Sequence, residues 1–84
     1  MMGARVLVID DETAIRRLLK ISLVVEGYTL LEASGGKEGL VMASMQRPEL
    51  IILDIGLPDI DGLTVLKRLR EWSTIPVIVL TVKD

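Results

Sequence analysis

The 84-residue sequence contains neither cysteine nor histidine. Without cysteine, the chain can form no disulfide and offers no thiolate to a metal. Without histidine, it lacks the commonest general base, the commonest nitrogen ligand for metals and every serine–histidine triad. Any metal site must therefore use oxygen ligands, which favours a hard cation such as Mg²⁺ or Ca²⁺.

Long apolar runs are also missing, although half of the residues are hydrophobic. No run approaches the ~20 residues of a membrane span, and the N-terminal segment has no apolar core like that of a secretory signal. We therefore expect a mature cytoplasmic protein that does not associate with membranes. The net charge of −2 gives no general attraction to nucleic acid. Since no basic recognition stripe is present either, direct DNA binding is not expected.

Short apolar runs alternate with segments of helical pattern along the whole chain. Such alternation, with short connections, predicts a single α/β domain in which helices cover both faces of a parallel sheet. The predicted order is β-α-β-α-β-α-β. The four predicted strands span residues 6–9, 28–33, 50–55 and 76–82.

The helix boundaries are predicted from capping and breaking residues. The first helix begins at Thr13 and is stopped by Gly27. The second is capped by Ser34 and ended by Pro48, and the third is capped by Asp61. The helical residues expected to face the core are Ile15, Leu18, Leu19, Leu23, Leu40, Ala43, Met45, Leu63, Leu66 and Leu69.

Acidic side chains lie where two of the predicted strands end. Asp10 and Asp11 follow the first strand, Asp54 lies at the end of the third, and Thr81 lies near the end of the fourth. The C-terminal ends of parallel strands share one edge of the sheet, where open α/β sheets bind ligands. Provided that the first and third strands are neighbours, the residues therefore predict a Mg²⁺ site formed by Asp10 or Asp11 with Asp54, to which the following turn could add a carbonyl. Such a carboxylate can also attack phosphorus.

Each of these residues also has a simpler interpretation. Asp11 alone is equally well explained as the cap of the first helix, and Thr81 as a β-forming residue. Asp59 and Asp61 are best explained as turn and cap residues. The three glycines that follow Ser34 match neither the dinucleotide-binding nor the Walker spacing. The joint pattern, with acids at two strand ends and a hydroxyl at a third, favours the functional interpretation.

Three segments, "VLVIDDE", "LIILDIGLPDIDG" and "PVIVLT", together resemble the receiver domain of two-component response regulators of the OmpR-like class. The resemblance implies a flavodoxin-like (CheY-like) doubly wound parallel sheet with strand order 2-1-3-4. It also implies a phosphoacceptor signalling domain rather than an enzyme. In this family a sensor histidine kinase donates the phosphoryl group, and the output passes to a DNA-binding effector domain. No such domain is present in these residues.

The resemblance also implies roles for individual residues. Asp54 corresponds to the phosphoacceptor. Asp11, Asp54 and the backbone carbonyl of Gly56 correspond to the Mg²⁺ ligands. Asp10 corresponds to a second acid that supports the metal, often through water. Thr81 corresponds to the switch hydroxyl that turns toward the phosphoryl group.

The sequence departs from the family pattern in two respects. Val82 replaces a usually small residue and would crowd the phosphoryl site, while Lys83 flanks the switch position. The family's catalytic lysine, at the end of a fifth strand, has no counterpart in residues 1–84. We therefore expect a partial receiver domain that lacks the last helix, strand and helix. The apolar strand at 76–82 would then form a sheet edge, so we expect self-association through it.

Three alternative functions stay open at this point. A phosphorylation-incompetent interaction module is favoured by Val82 and the missing lysine, but disfavoured by the intact acids. The second alternative is a Mg²⁺-dependent phosphatase or phosphotransferase of the haloacid-dehalogenase type, a family that also uses an aspartate after an apolar strand. That family, however, has a second aspartate where this chain has Gly56. The third alternative is a structural fragment that folds only within an assembly.

Overall fold

The computed structural model describes residues 3–80 of the chain. It contains four strands and three helices in the predicted alternating order. Thr81, Val82 and Lys83 lie outside the described residues, so their implied roles stay predictions. The elements are β1 (Arg5–Ile9), α1 (Thr13–Val25), β2 (Thr29–Ala33), α2 (Gly36–Gln46), β3 (Leu50–Asp54), α3 (Gly62–Arg70) and β4 (Val77–Leu80).

The four strands form one parallel sheet in the order β2-β1-β3-β4. The prediction of an α/β doubly wound sheet with strand order 2-1-3-4 is therefore confirmed. Ile9 of β1 pairs with Leu53 of β3 in the sheet register. Asp10 and Asp54 each follow one residue of this pair, so they lie side by side at the C-terminal ends of the two strands.

Helices cover both faces of the sheet. On one face, Leu19 and Leu23 of α1 pack against Val6, Val8 and Ile52. On the other face, α2 and α3 contribute to the larger core. Strands covered on both sides are apolar at consecutive positions, as β1 and β3 are. The fully enclosed members of the larger core are Leu7, Ile9, Ala33, Ala43, Ile51, Leu53, Leu57, Val65 and Leu69.

Three of the predicted core positions on the helices are wrong. The side chains of Leu18, Met45 and Leu63 are 61%, 73% and 55% exposed. A helix turns about 100° per residue, so Met45 lies on the opposite side of α2 from the buried Ala43. In α3, buried Val65 and Leu69 form an i, i+4 pair that sets the inward face, and Leu63 lies well outside it.

The N-termini of α1 and α2 also differ from prediction. The N-cap of α1 is Glu12, which makes no side-chain capping bond, so the interpretation of Asp11 as the cap is wrong. The N-cap of α2 is Gly35 rather than Ser34. Ser34 instead donates its backbone N–H and its hydroxyl to the Glu38 carboxylate, at 2.7 and 3.1 Å.

The other predicted helix ends are confirmed. Gly27 follows α1 in the left-handed region, with φ of 92°, and donates its N–H to the Val24 carbonyl. Asp61 caps α3 by accepting the backbone N–H groups of Leu63 and Thr64, at 2.8 and 3.1 Å. Within residues 3–80, no helix has the length and apolar character that crossing a membrane requires.

Candidate functional site

Three carboxylates meet at the C-terminal edge of the sheet. Asp10, Asp11 and Asp54 each offer one oxygen atom, and these atoms lie within 4.8 Å of one another. We call these three residues the acid cluster. Asp10 and Asp54 are only 1% and 8% exposed, whereas Asp11 is exposed. The expectation that the acids following the first and third strands converge is therefore confirmed.

The surroundings of Asp10 disfavour the charged form of its carboxyl group. Its Oδ1 atom accepts the backbone N–H of Glu12 at 2.8 Å, whereas its buried Oδ2 atom has no hydrogen-bond partner among the described residues. Burial raises the pKa of Asp10; the Glu12 N–H opposes this rise, and the carboxylates of Asp54 and Asp11 add to it. A buried carboxylate oxygen with no partner is an atom that a bound cation would satisfy.

The loop after β3 folds back onto the strand that carries Asp54. The backbone N–H of Gly56 donates to Oδ1 of Asp54 at 3.1 Å. At the far end of the loop, the N–H of Gly62 donates to the carbonyl of Ile55 at 2.9 Å. These two bonds fix the loop against the end of β3. Gly56 lies two residues beyond Asp54, and its carbonyl as a metal ligand stays a prediction.

Asp59, in the same loop, caps a helix that lies far away in sequence. Its two carboxylate oxygens accept the backbone N–H groups of Gly36 and Lys37, each at 2.9 Å. The Lys37 and Gly36 N–H groups lower the pKa of Asp59 to about 2. The interpretation of Asp59 as a turn or cap residue is confirmed, but the helix that it caps is α2. The β3–α3 loop is therefore tied to α2 as well as to β3.

The glycines at the start of α2 allow this close packing. A Cβ atom on Gly36 would lie 2.5 Å from Cγ1 of Ile60. A Cβ atom on Gly39 would lie 2.5 Å from Cδ1 of Ile9. Neither position has room for a side chain. These two glycines thus serve the packing of α2 against its neighbours.

Arg16, to which the sequence analysis gave no role, lies beside the acid cluster. The structure places its Nη1 atom 2.6 Å from the backbone oxygen of Asp10, and its Nε atom 3.3 Å from Oε1 of Glu32. The signal that could have revealed it is Glu32 itself. An acid within an apolar strand calls for a cationic partner, and Arg16 lies on the helix that packs against that strand.

A family model described as the response regulator receiver domain matches residues 6–84. The KDP operon transcriptional regulatory protein KdpE of Escherichia coli (strain K12) is 47% identical over 79 residues, which cover 94% of this chain and 35% of that relative. The transcriptional regulatory protein KdpE of Mycobacterium tuberculosis (strain ATCC 25618 / H37Rv) is 51% identical over 78 residues, covering 93% of this chain and 34% of the relative. The chemotaxis response regulator CheY4 of Vibrio cholerae matches with a TM-score of 0.92 at 31% identity, covering 99% of this chain and 72% of that one.

The chain therefore spans about a third of the length of these curated relatives. Two segments of this chain, the turn after Asp54 and residues 70–80, "REWSTIPVIVL", resemble the regulator of the Kdp potassium-transport operon. The names of the two KdpE relatives agree with this resemblance. The family match includes all three members of the acid cluster and extends from the first core strand to the last residue. The chain belongs to the family of response regulator receiver domains of two-component systems.

Proposed function

We propose that Asp54 accepts a phosphoryl group in a Mg²⁺-dependent reaction. The observation that carries this proposal is the acid cluster, in which Oδ2 of Asp10 is buried without a partner in the described part of the chain. Burying a carboxylate in this way is unfavourable unless a cation or donor completes it. Purely structural acids in this protein look different: both oxygens of Asp59 are paired with backbone N–H groups.

The donor set of the cluster suits Mg²⁺. Mg²⁺ prefers oxygen ligands, and usually combines one or two carboxylates with several waters. Asp11 and Asp54 would supply the carboxylates, the Gly56 carbonyl a further ligand, and Asp10 would support a bound water. When bound, the ion would neutralise charge on the oxygens of the transferred phosphoryl group.

Asp54 would act as the nucleophile. One of its oxygens attacks the phosphorus of a phosphohistidine, so that an O–P bond forms while the N–P bond breaks. The imidazole nitrogen keeps the electron pair and takes up a proton. The Gly56 N–H donates to Oδ1 of Asp54 at 3.1 Å and so helps to fix the orientation of this carboxylate. The buried strand β3 holds this carboxylate in place, which favours reaction by orientation.

The proposed phosphoryl donor is a sensor histidine kinase. Because the two KdpE relatives are transcriptional regulatory proteins, we propose that the signal controls transcription in the cytoplasm through an effector domain outside these residues. Residues 1–84 would then form a partial receiver domain that takes part in its own phosphotransfer. Thr81 would act as the switch hydroxyl, with Val82 and Lys83 as modulating neighbours.

Intact-mass spectrometry after incubation with Mg²⁺ and acetyl phosphate tests the proposal. We expect one phosphoryl adduct on the wild-type chain and none on Asp54→Asn, because an amide oxygen is a far weaker nucleophile than a carboxylate. Asp61→Asn is the matched control, since asparagine caps helices as well as aspartate does, and it should keep the adduct. A folded wild-type chain that gains no adduct would contradict the proposal and favour the alternative, a phosphorylation-incompetent interaction module.

We also propose that the chain self-associates through β4. Among the described residues this strand lies at one edge of the sheet. Ile78 and Val79 lie on opposite faces of β4 and are 50% and 38% exposed. Apolar edge strands with free backbone groups readily pair with another chain. A second copy of the chain is the proposed partner.

Sedimentation of Ile78→Lys tests this association. A charge on an apolar edge opposes pairing, so we expect the dissociation constant of the assembly to rise about tenfold or more. Leu63→Lys is the matched control, because Leu63 is 55% exposed, close to the 50% of Ile78, but lies on α3. Wild-type chain that sediments as a monomer at high concentration would count against self-association.

A further inference from the structure

Arg16 connects three elements beside the acid cluster. It lies in the first part of α1, donates through Nη1 to the backbone oxygen of Asp10 at 2.6 Å, and donates through Nε to Oε1 of Glu32 in β2 at 3.3 Å. Its side chain is only 16% exposed. A guanidinium presents its donors in a rigid plane, so two bonds made by one head group hold it in a single orientation.

The bond to Asp10 acts on the peptide group that leads to Asp11. The Asp10 carbonyl is part of the same plane as the Asp11 N–H, because the peptide bond is planar. A bond that fixes this oxygen therefore also fixes the orientation of the peptide plane that contains the Asp11 Cα atom, to which the Asp11 side chain is attached. The Glu12 N–H, bound to Oδ1 of Asp10 at 2.8 Å, holds the other side of the turn. Asp11 is itself exposed, so its position depends on this backbone.

We propose that Arg16 is a positioning residue, which orients the Asp10–Asp11 peptide so that the acid cluster binds a divalent cation tightly. The inference rests on the proposed function, because it assumes that the acid cluster holds Mg²⁺. Arg16 is a cation, so it would act on the metal site through the backbone of Asp10 and not as a metal ligand.

The charge of Arg16 acts in the opposite direction from its positioning role. A cation near the acid cluster repels Mg²⁺, so removing the charge alone would tighten metal binding. Glu32 lies 3.3 Å from Nε of Arg16 and offsets part of this charge, although the same carboxylate also pairs with Lys20 at 3.9 Å. We therefore expect the loss of positioning to dominate and the affinity to fall. Weaker Mg²⁺ binding on removing Arg16 would therefore indicate the positioning role, and tighter binding would indicate that charge repulsion dominates.

Titration calorimetry with MgCl₂ on Arg16→Lys and Arg16→Met tests the inference. Lysine keeps the charge but cannot bridge a carbonyl and a carboxylate with a planar fork. We expect the Mg²⁺ dissociation constant to rise roughly tenfold in both variants, the lower end of the range for residues that orient metal ligands. Arg17→Met is the matched control, since Arg17 is the next residue on α1 and is exposed. It should stay within about twofold of wild type, as expected for a solvent-exposed charge.

The amide NMR spectrum of the metal-free protein gives a second, more local measurement. Loss of the bond to the Asp10 carbonyl should shift the Asp11 ¹⁵N resonance in both Arg16 variants but not in Arg17→Met. Unchanged affinity in a folded Arg16→Lys, or tighter binding in Arg16→Met, would overturn the inference and leave the metal site intact. A wild-type chain that binds no Mg²⁺ would instead contradict the proposed function, and the Asp11 shift would still report whether Arg16 orients the turn.

Discussion

Gly62→Ala is expected to lower the free energy of unfolding by about 2 kcal/mol and to weaken Mg²⁺ binding. A Cβ atom at this position would lie 2.6 Å from the carbonyl oxygen of Asp54 and 2.6 Å from Cα of Ile55. Both contacts are with backbone, so rotation of a side chain cannot relieve them. Overpacking of this kind typically destabilises by ~1–3 kcal/mol, and the gain in helix propensity from alanine offsets at most ~1 kcal/mol.

The same substitution should also disturb the site, because the displaced atom belongs to Asp54. Urea unfolding and calorimetric titration with Mg²⁺ measure the two effects. Gly56→Ala, in the same loop, is the matched control for the unfolding measurement alone, because Gly56 is also a proposed metal ligand; its Cβ would meet only Oδ1 of Asp54, at 3.9 Å. We expect that variant to stay within about 0.5 kcal/mol of wild type. A Gly62→Ala protein as stable as wild type would mean that α3 can move away from β3 freely.

The sequence was sufficient to predict the elements and the edge of the sheet where the acids meet. Uninterrupted apolar runs such as that of β3 occur where a strand is covered on both faces, and this local property needs no knowledge of the partner. Local patterns did not predict that β1 and β3 are neighbours in the sheet. This prediction came from the family resemblance, because periodicity alone does not determine which strands pair.

The contacts that sequence reasoning missed join residues far apart in the chain. Asp59 and the α2 residue Lys37 are 22 positions apart, and Arg16 and Glu32 are 16 apart. Local rules found Asp61 as the cap of α3 because the cap and its helix are adjacent. The same rules placed the cap of α2 on Ser34, since nothing near that helix indicates that a carboxylate arrives from another loop.

Asp10→Asn is expected to raise the free energy of unfolding by about 1–3 kcal/mol in metal-free buffer at neutral pH, the usual penalty for a buried polar group without a partner. Asp10 is 1% exposed, and its carboxylate lies beside two other carboxylates. The amide has nearly the same shape, is neutral, and can still accept the Glu12 N–H through Oδ1. Its Nδ2 group would replace the unpaired oxygen by a donor that lies close to the carboxylates of Asp11 and Asp54, which can accept from it.

The pH dependence of this effect has a definite sign. Burial raises the pKa of Asp10 above the usual 3.8. At pH values between 3.8 and this raised pKa, Asp10 therefore holds its proton more often in the folded chain than in the unfolded chain. Stability of the wild-type chain therefore falls across this range, while the variant lacks this contribution. The advantage of Asp10→Asn should thus be small in acid and full near neutral pH. Urea unfolding at several pH values measures it, with Glu26→Gln as a control that removes an exposed acid.

Mg²⁺ should narrow or reverse the difference in the free energy of unfolding between the wild-type chain and Asp10→Asn. A ligand at 100 times its dissociation constant stabilises the folded state by about 2.7 kcal/mol, and the wild-type cluster, with one more negative charge, should bind the ion more tightly. An Asp10→Asn chain that is less stable than wild type without metal would mean that the Asp10 carboxylate is already satisfied. The main physical reason for placing a cation in the acid cluster would then be lost, whereas a reversal on adding Mg²⁺ would tie the unpaired oxygen of Asp10 directly to metal binding.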